Sequence, residues 1–338
     1  MKRFLALALS LVMLIAVSGC QSGGQSAAQQ SPASAAESAS QQPSTDSNAT
    51  AGKKIRIGLS WFTMSEEHLA NIYNEMEAYI KESGQADNVE LILLDAGMDA
   101  LKQNSQVDNL ISQKVDVIIM IPFDKEQQVP AVKAAKAANI PLIELCASTS
   151  AEDDRTTYVG SEDIASGRIL MEELAKVSGG KGNIVIIHGP AGQNAEIMRH
   201  TGAQEVLEKY PDMQITAEKI CDWDRAKAMS AMENILQSNI AVDIVFAEDD
   251  GMAMGALEAI EGSGREGFII GGIDGIPDAL QAVKDGRLAC TVYQNAKEQG
   301  ITAFEVAKLL ADNQPVEPIY DVPYELITKD NVDSYMEH

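Results

Sequence analysis

The chain alternates between short apolar runs and longer segments with helical spacing from residue 55 almost to its end. Residues 55–60 read as a strand, and residues 117–121 are a near-continuous apolar run of strand length. Residues 65–81 instead repeat their apolar positions every three or four residues, which is typical of an amphipathic helix. Continuous apolar strands that alternate with helices indicate parallel sheets covered on both faces.

The remaining predicted elements keep the same order. Further strands are predicted at 89–94, 140–145, 157–160, 184–187, 213–220, 242–247, 269–274 and 288–293. Further helices are predicted at 100–113, 125–138, 164–177, 195–209, 225–237, 251–260, 277–285 and 297–311, before an extended tail at 320–327. Because Gly160-Ser161 interrupts the series, the sequence predicts an α/β protein of two doubly wound parallel-sheet lobes.

The residues that follow each predicted strand are the first place to look for a site, because ligands of open parallel sheets bind outside the carboxyl ends of the strands. Asp274 ends one such strand, and Gly275 and Pro277 then suit a turn into a helix. From the local sequence alone, Asp274 either faces a ligand or caps that helix.

Aromatic, carboxylate and amide side chains are concentrated at these strand ends, and both tryptophans of the protein are among them. Flat aromatic faces pack against C–H groups of a sugar, and carboxylates and amides bind its hydroxyls. The combination predicts a pocket for a carbohydrate or polyol. The strand-end segments are Ser60-Trp61-Phe62, Pro122-Phe123-Asp124, Cys146, 188–193, 221–224, 248–250, Asp274 and Gln294-Asn295.

The N-terminus has the pattern of a lipoprotein signal. Lys2 and Arg3 precede an apolar stretch at 4–16, and Val17-Ser18-Gly19-Cys20 then resembles a lipobox. We expect a signal peptide at 1–19 and a lipidated Cys20; the alternative, a membrane-spanning helix, would need a longer apolar run. Residues 20–52 are rich in Ser, Gln and Ala, which predicts a disordered tether that holds the folded part above the membrane.

Charge and cysteine content exclude several classes of function. Lys and Arg number 26 against 50 Asp and Glu, a formal charge of −24, which argues against a nucleic-acid partner. Cys146, Cys221 and Cys290 form no Cys-x-x-Cys pair and have no histidine at ligand spacing, so neither a disulfide framework nor a metal site is predicted. No cofactor motif is recognised either.

Several segments in order resemble the ribose- and galactose-type periplasmic binding proteins, also called type I, which deliver sugars to ABC transporters. The resemblance covers about 54–328. It is carried by Val245–Leu257 and Gly272–Asp278, supported by 139–143, 221–224 and 288–294. It implies two lobes joined by a three-stranded hinge and a ligand bound between them.

The family's binding residues match this protein mainly in the second lobe. The sugar-holding arginine corresponds to Arg199, the stacking aromatic to Trp223, and the strand-end aspartate to Asp274. Asp249 and Gln294 match two further polar positions, after a strand and at the hinge. Gln193 stands where galactose-type members have a histidine.

The first lobe departs from the ribose-type pattern. An Asn-Pro-Phe-Phe run is replaced by Met64-Ser65-Glu66-Glu67, and an Asp-Arg pair by Cys146-Ala147. We therefore expect a ligand other than ribose, neutral or cationic rather than acidic. The first-lobe candidates are Ser60, Trp61 or Phe62 for stacking, Cys146, and Glu67 (or Glu66) as a new acceptor.

The resemblance implies a monomeric receptor outside the cytoplasm that hands its ligand to a membrane permease. Predicted domains are 53–159 with 295–321, and 160–294 with 322–338; the hinge strands lie near 158–159, 294–295 and 321–322. A sensory receptor for a membrane kinase or chemoreceptor is the alternative function. An enzyme using Asp249, Asp250, Asp274 and His188 is disfavoured because no nucleophile or metal motif accompanies them.

Overall fold

The computed structural model describes residues 54–336, so the predicted signal peptide, Cys20 and the predicted tether lie outside the described residues. The strands are β1 Ile55–Trp61, β2 Val89–Asp95, β3 Val117–Ile121, β4 Leu142–Leu145, β5 Thr157–Gly160, β6 Lys181–His188, β7 Asp212–Ile220, β8 Ile244–Ala247, β9 Ile269–Asp274, β10 Cys290–Tyr293, β11 Ile319–Asp321 and β12 Glu325–Thr328. The helices are α1 Glu67–Glu82, α2 Ala100–Ser112, α3 Val129–Ala137, α4 Asp163–Ser178, α5 Asn194–Leu207, α6 Arg225–Gln237, α7 Asp250–Ser263, α8 Pro277–Asp285 and α9 Ala296–Ala311, with a final 3₁₀ turn at Val332–Tyr335.

The strands form two six-stranded sheets, which confirms the predicted fold class. The first lobe is built on the order β11-β5-β4-β3-β1-β2 and the second on β12-β10-β9-β8-β6-β7. Pairing is parallel in both sheets except between β10 and β12, which run antiparallel. Each sheet reverses its winding beside its first strand, where ligand sites of such folds form.

Each sheet is buried on both faces, as the unbroken apolar strands predict. In β3, Val117, Ile119 and Ile121 pack into one core of the first lobe, whereas Ile118 and Met120 pack into the other. The strands of the second lobe divide their alternate residues between two cores in the same way. Because the strands are parallel, their polar carboxyl ends lie at one edge of each sheet.

One helix begins later than its hydrophobic pattern suggests. The sequence predicts a helix from residue 125, but α3 begins at Val129. The Asp124 carboxylate accepts hydrogen bonds from the backbone N–H groups of Glu126 and Gln127, both at 2.8 Å, and holds these residues in a turn.

The polypeptide passes between the sheets after β5, after β10 and between β11 and β12, next to the predicted hinge positions. Helix α4 packs on β9 and β10 of the second sheet, and α9 packs on α1 and β3 of the first. The domain bounds themselves stay a prediction. Within residues 54–336, no helix has both the length and the apolar character that a membrane span requires.

Candidate functional site

A cavity lies between the two lobes at the carboxyl ends of their strands. The centre of a water-sized molecule can occupy a volume of about 50 Å³ within it. The lobes are closed over it, and the backbone N–H of Lys125 in the first lobe approaches the carbonyl of Gly192 in the second at 3.5 Å. The lining residues are Phe62, Glu66, His68, Leu69, Ile121, Cys146, Ala147, Asp163, Gln193, Ala195, Arg199, Trp223, Asp249, Asp274 and Gln294.

Asp274 faces this cavity and does not cap the following helix. The turn after β9 is held by Asp250, whose Oδ2 accepts from the backbone N–H of Gly275 at 2.7 Å and of Ile276 at 3.1 Å. Helix α8 has Ile276 as its N-cap residue, and its start has no side-chain cap hydrogen bond. Asp274 has a φ of 134°, a strained conformation for a residue other than glycine, of the kind found at functional sites.

Asp249 has two roles in the second lobe. Its Oδ1 accepts from the backbone N–H of Met252 at 2.6 Å and so caps α7, while its carboxylate also lines the cavity. The next residue, Asp250, is buried away from the cavity and accepts from the Thr291 hydroxyl. Burial raises the pKa of Asp250 to about 7. Neither Asp250 nor His188 lines the cavity, so the acid–base set considered for an enzyme is not assembled there.

Arg199 is the buried cation of the site. Its guanidinium donates to the backbone carbonyl of Glu248, and its Nη2 donates to Gln294 Oε1 and to the Tyr324 hydroxyl, both at 3.1 Å. Asp163 Oδ1 lies 3.8 Å from the same Nη2 and accepts from the Tyr324 hydroxyl at 2.8 Å. Arg199 therefore organises the second wall as well as facing the cavity.

Two glycines allow α5 to lie close enough to place Arg199. A Cβ atom at Gly167 of α4 would stand 2.0 Å from the backbone oxygen of Arg199, and one at Gly202 would stand 2.2 Å from that of Ile164. Only glycine permits this contact between the two helices without moving the backbone.

Trp223 forms the stacking face of the second lobe. Its Nε1 donates to Gln193 Oε1 at 2.5 Å, and its ring packs against Gly189, where an added Cβ would lie 2.1 Å from it. Gln193 Nε2 and Arg199 Nε are buried without a hydrogen-bond partner in the described part of the protein. These two donors beside an indole face suit the hydroxyl oxygens of a polyol.

The aromatic residue on the first wall is Phe62, with Phe123 against it at 5.8 Å between ring centroids. Trp61 is fully buried in the core, where its Nε1 donates to the Leu69 carbonyl at 3.2 Å. Ser60 is also buried, beside Gln106. Neither Ser60 nor Trp61 lines the cavity, so the prediction that they face a ligand is corrected in favour of Phe62 alone.

Of the two adjacent glutamates, Glu66 rather than Glu67 lines the cavity. Glu66 is the N-cap of α1, and its carboxylate accepts from the backbone N–H of His68 at 2.8 Å and of Leu69 at 2.9 Å. Glu67 is exposed and lines the outer opening of the cleft. A cap must turn its side chain back over the helix start, and this turns Glu66 toward the second lobe.

Cys146 lines the first wall as a buried thiol. Its Sγ donates to Gln299 Oε1 at 3.0 Å, and His68 Nε2 lies 3.1 Å from the same oxygen. Since an amide oxygen only accepts, His68 carries its proton on Nε2. Burial raises the pKa of Cys146 and lowers that of His68 to about 3, so both are neutral.

Three carboxylates from opposite lobes meet in this cavity. One oxygen each of Glu66, Asp249 and Asp274 lies within 4.8 Å of the others. Burial raises the pKa of all three, neighbouring carboxylates add to this (Glu66 for both aspartates, Glu67 for Glu66), and the Arg199 charge opposes it. The closed cleft thus concentrates hydrogen-bond acceptors and negative charge around one cation, which disfavours an acidic ligand.

Sequence reasoning missed His68 and Asp163 and selected Glu67 where Glu66 faces the cavity. Asp163 is the buried first residue of α4, directly after the predicted break at Gly160-Ser161. A carboxylate beside a predicted hinge is the signal that could have identified it.

The sequence is similar to those of known solute-binding proteins. A family model described as "Periplasmic binding protein domain" matches residues 57–315. A xylitol-binding protein of Mycolicibacterium smegmatis is 40% identical over 84% of this chain and 80% of that protein. A ribose import binding protein of Bacillus subtilis is 32% identical over 84% of this chain and 90% of that protein.

Among solved structures, an ABC transporter solute-binding protein from Bacillus halodurans C-125 with bound myo-inositol superimposes with a TM-score of 0.80. It is 38% identical, and the match covers 85% of this chain and 98% of that one.

Proposed function

The chain belongs to the periplasmic binding protein family, a class of extracytoplasmic solute-binding proteins, and from this we propose that it captures an uncharged polyol, a cyclitol or sugar alcohol, between its lobes. The observation that carries the proposal is the meeting of Glu66, Asp249 and Asp274 around Arg199 in a cavity lined by Phe62 and Trp223. Each carbon of a polyol such as xylitol or myo-inositol bears a hydroxyl that can donate to these carboxylates, and the C–H groups can pack on the aromatic faces.

The first wall favours a polyol over ribose. Cys146 stands where ribose-type members have an aspartate, and its thiol is already bonded to Gln299. The hydroxyl acceptor of this wall is instead Glu66, which is fixed by the start of α1. Relatives that bind xylitol or myo-inositol support the same ligand class.

The protein works as a hinged clamp that delivers its ligand to the permease of an ABC importer. Only the closed form offers the ligand both walls, so binding shifts the population toward closure. We further propose a monomer, held to the membrane by lipid on Cys20. Presentation of the ligand to a sensor kinase or chemoreceptor is the alternative role, and a pull-down of the membrane partner separates the two.

A thermal-shift panel tests the ligand class. We expect myo-inositol or xylitol to raise the melting temperature in proportion to the logarithm of ligand concentration, D-ribose to act more weakly, and D-glucuronate to have no effect, because its carboxylate would join three others. The classification would be overturned by a shift with glucuronate alone, or by none with any polyol while another solute class stabilises the protein.

The three carboxylates also lead us to expect that opening and closing of the ligand-free cleft depend on pH. In the closed cleft, burial raises the pKa of Glu66, Asp249 and Asp274. Opening would rehydrate these carboxyl groups, so we expect the closed form to bind protons more tightly than the open form. Lowering the pH through these raised pKa values therefore favours the closed form of the ligand-free protein. The effect is complete once the pH is below about 4, the ordinary pKa of these carboxyl groups. Ionised carboxylates keep the empty cleft open.

Glu66→Gln is expected to shift the ligand-free protein toward the closed form at neutral pH, because it removes the first-lobe charge. Small-angle scattering would record a smaller radius of gyration than in the parent protein, with the difference shrinking on acidification. The matched control is Glu67→Gln, which removes an exposed charge at the outer opening. Equal radii for Glu66→Gln and Glu67→Gln throughout this pH range would contradict the charge mechanism.

A further inference from the structure

A second cluster of ligand-forming side chains lies in the second lobe, outside the cleft. His188 at the end of β6, His200 on α5 and Glu218 on β7 each offer one donor atom, and the three atoms lie within 4.8 Å of one another. Glu218 Oε1 is 3.5 Å from His188 Nε2 and 3.6 Å from His200 Nδ1. None of these residues lines the cavity between the lobes.

The two distances from Glu218 match the edges of a metal tetrahedron. Donors bound to Zn²⁺ at about 2.1 Å in tetrahedral geometry stand about 3.4 Å apart. Both separations from Glu218 lie close to that value. The two imidazole rings are stacked, with centroids 4.9 Å apart and planes 30° from each other.

His188 Nδ1, the ring nitrogen that is not part of the cluster with Glu218, is held in the manner of a metal-binding histidine. His188 Nδ1 lies 2.9 Å from Oε1 of the fully buried Glu248, and Glu248 Oε2 accepts from the backbone N–H of Gly189 at 2.8 Å. Glu196 Oε1 is a second carboxylate oxygen, 3.8 Å from the same nitrogen. A proton held on Nδ1 leaves the Nε2 lone pair directed at Glu218, and such carboxylate–histidine pairs orient metal ligands.

His200 supplies a second free donor. Its Nδ1 is buried and has no hydrogen-bond partner within residues 54–336. Glu218 is half-exposed, with 47% of its side-group surface accessible, which gives an ion a path from solvent and room for a bound water.

We propose that His188 Nε2, His200 Nδ1 and a Glu218 carboxylate oxygen bind a divalent transition-metal ion, Zn²⁺ above all, with water as the fourth ligand. Two imidazoles and one carboxylate favour Zn²⁺ and its neighbours over Mg²⁺ or Ca²⁺, which prefer oxygen ligands. The three residues lie on three different elements, a strand end, a helix and an edge strand, so they do not form a recognisable sequence motif.

Cobalt titration tests the site, because tetrahedral Co²⁺ with histidine ligands absorbs visibly. The full-length protein without an affinity tag is stripped with chelator and titrated with Co²⁺, and Zn²⁺ is then added as competitor. We expect one saturable equivalent with the tetrahedral spectrum, displaced by Zn²⁺. His200→Asn and Glu218→Gln should each weaken Zn²⁺ binding in calorimetry by at least about 10- to 100-fold, the loss typical of altering a residue that only supports a metal ligand.

The matched control is Glu208→Gln, which removes an exposed carboxylate at the end of the same α5. Glu218 is itself on an exposed edge strand, so its substitution leaves folding intact, and circular dichroism checks this for each variant. The proposal is overturned if the parent protein shows no saturable binding, or if Glu218→Gln and His200→Asn weaken it no more than Glu208→Gln. It does not depend on the ligand class proposed for the cleft.

Discussion

Asp274→Ala is expected to weaken polyol binding by about 100-fold or more without lowering the free energy of unfolding. The carboxylate lines the cavity and is available to ligand hydroxyls, and each such charged hydrogen bond contributes about 1.5–3 kcal/mol. Two of them account for a loss of that size. Its removal also relieves repulsion from Glu66 and Asp249 in the ligand-free closed form.

Isothermal titration calorimetry measures the affinity, and urea unfolding measures the stability. The control is Asp278→Ala, a partly exposed carboxylate four residues further on, which pairs with Arg225. Affinity unchanged in Asp274→Ala, or reduced equally in both variants, would show that Asp274 does not contact the ligand.

Arg199→Met is expected to lower the free energy of unfolding by about 3–5 kcal/mol as well as to abolish binding, because breaking a buried ion pair by removing one partner has a cost of this order. The substitution leaves Asp163 buried without its cation and removes the donor to Gln294 and to the Tyr324 hydroxyl. By contrast, an arginine that only contacted the ligand could be replaced without lowering the free energy of unfolding.

Urea unfolding of the ligand-free protein provides the measurement, and Arg225→Met provides the control. Arg225 also pairs with two carboxylates, Glu258 at 2.6 Å and Asp278 at 2.5 Å, but all three side groups are about two-fifths exposed. Exposed pairs of this kind contribute about 0–1 kcal/mol. A destabilisation by Arg199→Met no larger than that of Arg225→Met would contradict its role as an organiser of the wall.

The fold was predictable because its local signals agree. Strand β3 reads as an unbroken apolar run and is buried on both faces, and α8 begins at Pro277 and ends before Gly286, as its sequence indicates. The turn after residue 124 was not predictable from hydrophobic spacing, since it depends on one side chain that bonds its own backbone.

The second wall was also accessible from sequence, because its residues follow buried strands directly. Asp249 and Asp274 come at or just after strand ends, and the register of a parallel sheet brings such positions together. The sequence could not show which aspartate has a structural role: Asp250, not Asp274, holds the turn after β9.

The first wall depended on differences of one residue. Trp61 shares its strand face with Ile57 and Leu59, so the two-residue period places it in the core, and Phe62 is the first residue free to turn into the cleft. Glu66 and Glu67 are separated in the same way by where α1 begins. Helix starts read from sequence are uncertain by more than one residue, which is enough to exchange the two glutamates.

A crystal structure of the protein with the polyol that gives the largest thermal shift would test the central claim most directly. The account predicts the ligand between Phe62 and Trp223, with its hydroxyls within hydrogen-bond distance of Glu66, Asp249 and Asp274. A ligand bound elsewhere, or one held in the cleft without contact to Asp274 and Glu66, would contradict it.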